Sequence, residues 1–191
     1  QLVESGEVHE ETQLDLDVKV EDIGILPKSV RSFLRAQIAF QKGDINTIDE
    51  EIDWLKKETY VASLNMNNSG DAMCAAGNSR YAPTENSVKI AQVIKTQMEG
   101  MKALLKGNLP LFEDMMQEAT VLEDRTDFPT GPPRITKPSF EQYGEWLLTQ
   151  ARYEEAVQQF DKALARMPKR SKSLAGKLSA LTALDQIKEV A

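Results

Sequence analysis

"KPSFEQYGEWLLTQARYEEAVQQFDKALARMPKR", residues 137–170, decides the fold. Its apolar and small residues fall at Phe140, Tyr143, Gly144 and Leu147, then at Tyr153, Ala156, Phe160, Ala163 and Leu164. Intervals of three and four give each half one apolar face, the pattern of two amphipathic helices. Pro138 stands at a helix start, where a missing N–H costs nothing, and Pro168 stops the second helix. Gly144 and Ala156 are small enough to let the two helices approach closely. Phe160 is placed to fill the gap against whatever helix follows.

The spacing Gly144–Tyr153–Ala156–Phe160–Ala163–Pro168 resembles the tetratricopeptide repeat, a unit of about 34 residues made of two antiparallel helices. Two degenerate copies precede it. Residues 87–126 place Gly100 at the small position of the first helix, "KGN" at the turn, and Leu109, Phe112, Met116 and Ala119 along the second helix. Residues 27–66 place Ala36 at the small position, "KGD" at the turn, then Ile45, Ile48, Ile52 and Leu55. The turns fall at Gly43, Gly107 and Ala151. Their separations exceed the usual repeat, so extra residues lie between hairpins: an insertion at 67–86 and a Pro-rich spacer at 127–136. A helix restart is expected near an N-cap at Asn86 or Ser87. Residues 171–191 carry Leu174, Leu178, Leu181 and Leu184 on one face and read as a helix capping the third hairpin. The predicted fold is therefore all-α, an α-α superhelix of antiparallel pairs with a C-terminal capping helix.

Within that family the closer resemblance is to bacterial proteins of no assigned activity. In these a helix ending in acids, here "EATVLEDR", leads to Gly131, Pro132 and Pro133, then Lys137 and Pro138, then a well-formed repeat. The resemblance implies a protein-interaction role. Such arrays line a concave wall with the first helix of each pair. The register assigns Phe33, Gln37 and Phe40 to that wall from the first hairpin. It adds Gln97, Met101 and Leu104 from the second, and Glu141, Glu145 and Leu148 from the third. Two glutamates stand where the chaperone-binding subgroup carries basic residues, so a carboxylate clamp is not expected. A mixed apolar and acidic groove suits a basic or amphipathic protein segment. Arg80, Tyr81, Phe128 and Arg134 are expected at the groove edge. The alternative is a structural piece of a longer array, its groove filled by its own chain or used for self-association.

Composition narrows the other classes. The net charge of −7 is local. Residues 1–26, an acidic segment that reads as the end of a preceding helical hairpin, hold eight acids and one base, Lys19, leaving 22 of each beyond. That balance offers no basic face for nucleic acid. The single cysteine, Cys74, and single histidine, His9, exclude an internal disulfide and a Cys/His zinc cluster, and give Cys74 no nearby base. Gly70 and Gly77 are followed by no Gly-Lys-Ser/Thr, so they form no phosphate loop. Glu141 and Glu145 share a helix face, but no nucleophile accompanies them. No cofactor, metal or catalysis is expected. No apolar run approaches the roughly 18 residues of a membrane span. Without an initiator Met, the chain reads as a processed product or a segment of something longer.

Overall fold

The computed structural model describes Val20 and residues 23–67, 82–128 and 137–190. Among them are seven helices and no strand: α1 (Ile25–Lys42), α2 (Ile45–Asn67), α3 (Glu85–Leu105), α4 (Leu109–Asp124), α5 (Ser139–Thr149), α6 (Tyr153–Arg166) and α7 (Ser171–Val190). Successive helices pack on one another, and α1 also packs on α3.

The three hairpins turn by one device. Gly43, Gly107 and Ala151 are left-handed, with φ of 71°, 70° and 56°. At each, the following residue's N–H reaches back five residues: Asp44 to Ala39, Asn108 to Ala103 and Arg152 to Leu147, at 2.9, 3.0 and 3.0 Å. This Schellman pattern satisfies carbonyls that a helix end otherwise leaves unpaired. In two turns the same residue also caps the next helix, Asp44 accepting from the Thr47 N–H and Asn108 from the Leu111 N–H. A reversal in so few residues makes each pair antiparallel. Cross-links confirm it: Lys28 bonds Glu58 near one end of the first pair, and Ser32 bonds Glu51 farther in.

Equivalent offsets from the turns build the core. Five, nine and twelve residues on lie Ile48, Ile52 and Leu55; Phe112, Met116 and Ala119; and Ala156, Phe160 and Ala163, all buried. Seven residues before the turns, Ala36, Gly100 and Gly144 give the second helix room. The apolar interior forms two clusters. One joins α1, α2 and α3; the other joins α3, α4, α5, α6 and α7. Met167, just past α6, belongs to the first cluster although most of α6 belongs to the second.

Two sequence expectations need correction. The cap of α3 is Thr84, a few residues earlier than Asn86 or Ser87. Its hydroxyl accepts from the Ser87 N–H while the Ser87 hydroxyl accepts from the Thr84 N–H, a reciprocal box that fixes the start at Glu85. On α7 the leucine face is not the buried one. Leu174, Leu178 and Leu181 are 48%, 66% and 40% exposed and Leu184 is half-buried, whereas Ser173 and Ala180 are fully buried. The reason is Phe160, whose ring lies where a side chain on Gly176 would begin, so only the small-residue face of α7 fits against α6.

Candidate functional site

Because α1, α3 and α5 are the first helices of equivalent hairpins, their corresponding turns come to one side of the molecule. Between them opens a groove of about 500 Å³. Its floor is Met101, Phe112 and Trp146, with Phe40 and Leu104 half-buried beside them. Phe112 and Trp146 pack ring to ring at 4.9 Å. Around this floor stand the amides of Gln37, Gln41, Gln142 and Gln150. Lys137 and Lys172 line one end, and Thr149 and Gln150, at the last turn of α5, the other. Such a lining, apolar below and amide-rich above, is suited to a chain with alternating side chains and main-chain polar groups.

Of the nine expected wall residues, five line this groove: Gln37, Phe40, Met101, Leu104 and Glu145. The others fail for a regular reason. Phe33, Gln97 and Glu141 each lie ten residues before a turn, and all three are buried, at 1%, 0% and 0% exposure. At that level the side chain meets the neighbouring elements rather than solvent. Phe33 joins the apolar cluster shared with α3. Gln97 donates to the Lys137 carbonyl at 2.9 Å and to Gln142 at 2.8 Å. Glu141 accepts from Arg170 at 2.6 and 2.9 Å and from the Ser173 hydroxyl at 2.6 Å. Leu148 packs against the second cluster instead. Phe128 lies outside the groove lining, its ring 4.7 Å from the Arg166 guanidinium. Arg80, Tyr81 and Arg134, with Cys74 and His9, lie outside the described residues.

These placements change the charge of the wall. Burial alone would raise the Glu141 carboxyl, but the Arg170 and Ser173 hydrogen bonds and the Arg170 and Lys137 charges hold it below the usual range. It is an ionised structural anchor facing away from the groove. Glu145 does line the groove, yet Lys137 holds it at 2.5 Å. Lys172 lines the same end and meets no ion-pair or hydrogen-bond partner among the described residues. The acidic wall expected from sequence is therefore absent; the groove's fixed charges sum to one positive unit.

Two further networks hold the walls in place. Tyr143 donates to Glu113 at 2.7 Å, and Arg152 reaches the same carboxylate at 2.6 Å, tying α4 to the α5–α6 hairpin. At the start of α5, Glu123 accepts from the Ser139 N–H and hydroxyl at 2.6 and 2.5 Å. Burial pushes the Glu123 carboxyl up, against the lowering effect of those hydrogen bonds and of the nearby Arg166 charge. Sequence reasoning missed Gln142, Trp146 and Lys172 as groove residues. The first two follow once the wall register is moved one residue along α5.

A second hollow, of about 600 Å³, lies between α2 and α3 and is lined by Lys56, Lys57, Tyr60 and Lys95 among others. Among the described residues, no helix is long and apolar enough to cross a membrane. The chain matches no family model, no curated protein and no solved structure.

Proposed function

We propose that the three hairpins form a tetratricopeptide-like superhelix and that the groove between α1, α3 and α5 binds a segment of a protein partner without catalysis. The observation that carries this reading is the groove itself: apolar floor, amide rim, and no described side chain closing it. Supporting it, the three turns share one geometry and the three small positions fall at one offset, as repeats stacked into a binding wall require. An interaction of this kind gains its energy from apolar anchors in the floor, with the amides reading main-chain groups.

Trp146 in the floor supplies a direct readout. The chain has two tryptophans, so Trp54→Phe leaves Trp146 as the sole indole reporter. We expect end-blocked peptides carrying Leu, Met or Phe to shift its emission, and Leu104→Glu to abolish the shift by placing a charge in the floor. Binding that survives Leu104→Glu would exclude the groove as the site.

A second reading concerns α7. Leu174, Leu178 and Leu181 repeat at intervals of four and three, the spacing of a helix–helix seam, and are exposed. An antiparallel pairing of two copies would set Leu174 opposite Leu181 of the other copy and Leu178 opposite its own equivalent. Light scattering over a dilution series tests it: a mass that stays monomeric at all concentrations rules out the pairing.

A further inference from the structure

Resting on the groove reading, we infer that the partner segment is acidic and is seated with a side-chain carboxylate against Lys172 and apolar side chains over Met101, Phe112 and Trp146. Charge along α5 carries the inference. At the end where α5 begins, Lys137 and Lys172 line the groove. Both carboxylates that could oppose them are engaged, Glu141 by Arg170 and Ser173, and Glu145 by Lys137. Lys172 is thus the cation left to the occupant among the described residues.

The far end has no charged side chain in its lining. The last turns of α1, α3 and α5 supply Phe40, Gln41, Leu104, Thr149 and Gln150 to the lining. The C-termini of α1, α3 and α5 at that end are each met, across a short turn, by the N-terminus of α2, α4 or α6, so the helix ends add little net charge there. A carboxylate at the Lys172 end meets a cation, whereas at the other end it meets no charged lining residue. Eleven residues of α5 span about 16 Å, enough for about five extended residues. One carboxylate and two or three apolar side chains fit that length.

The test uses the full chain and four end-blocked hexapeptide probes, each with two leucines and one phenylalanine. The fourth variable side chain is glutamate at the C-terminal side, glutamate at the N-terminal side, lysine, or glutamine. Blocked ends remove terminal charges, so only the side chain is read. Fluorescence titration is expected to rank both glutamate probes above the glutamine and lysine probes. The margin is about fivefold, the scale of one partly exposed ion pair. Lys172→Glu places an acid in the first turn of α7, where helices tolerate it; it is expected to fold and to prefer the lysine probe. Lys172→Gln should erase the preference while keeping glutamine-probe affinity. If probes bind but the ranking is unmoved by either variant, the inference fails and the groove reading stands. If no probe binds, the groove reading fails and takes the inference with it.

Discussion

A Cβ built on Gly176 would stand 2.3 Å from the Cζ atom of Phe160, well inside van der Waals contact. The same ring edge lies 3.0 Å from a Cβ built on Gly144. Phe160 is thus held between a glycine of α5 and a glycine of α7. Gly176→Ala is expected to cost about 2 kcal/mol through overpacking, outweighing the gain in helix propensity. At Gly100 the nearest atoms lie at an ordinary 3.6 Å, so Gly100→Ala should stabilise, by up to about 1 kcal/mol. Urea denaturation of the two variants tests the contrast. Phe160→Leu in the Gly176→Ala background should recover part of the loss, which a double-mutant cycle would register.

The turns predict an easier improvement. Ala151 adopts the left-handed conformation that glycine takes at Gly43 and Gly107. A non-glycine residue there carries a strain of about 1–2 kcal/mol, partly offset by the greater unfolded-chain entropy of glycine. Ala151→Gly should stabilise by about 0.5 to 1 kcal/mol without changing groove binding. Thermal and urea midpoints are the measurement, and a destabilised variant would contradict the strain.

Glu141 and Glu145, a pair by sequence, should behave differently. Glu141 is fully buried on Arg170 and Ser173, so Glu141→Gln breaks a buried carboxylate's ion pair and hydrogen bonds and should cost on the order of 3 kcal/mol. Glu145→Lys breaks a partly exposed pair and should cost under about 1 kcal/mol. Because the folded Glu141 carboxyl lies below its ordinary value, its contribution is present above about pH 4.3 and is lost as pH falls through the folded value. Glu141→Gln should therefore flatten the acid limb of the stability curve.

Glu123 acts with the opposite sign. Its folded carboxyl is raised by burial, so between the unfolded value, about 4.3, and the folded one the native chain binds more protons than the unfolded chain. Stability from this group falls as pH rises through that window, and the penalty is complete above the folded value. Denaturation of the parent and Glu123→Gln from pH 4 to 8 should show the parent losing relative stability with rising pH. Parallel curves would contradict the shift.

What sequence could reveal follows from which groups repeat. The hairpins were legible because turn, small position and buried stripe recur at fixed offsets, and each is enforced by backbone geometry or close packing. The wall was legible to within one residue of helical register. That single residue separates Glu141, locked to Arg170, from Gln142 in the groove. Periodicity identifies a helix face but not which neighbour covers it, so the ten-before-turn level looked open in all three hairpins. On α7, hydrophobicity pointed the leucines inward, and only the volume of Phe160 reversed the choice. Lys172 belongs to a basic run, Arg166, Lys169, Arg170, Lys172 and Lys177, that reads as a solvated helix junction; only the packing of α7 beside α5 brings it to the groove.

Met167 extends these relationships to the whole molecule. It inserts a side chain of the third hairpin's end into the apolar cluster of the first, while Ala103 of α3 serves the second. The first cluster therefore holds residues from both sides of α3, and both clusters draw on α3 itself, so opening either one disturbs a helix that serves the other. A linear stack of independent hairpins would fray from its ends, one unit at a time. This chain is instead stitched across its middle, so its amide protons in α3 and α6 should exchange through one shared opening.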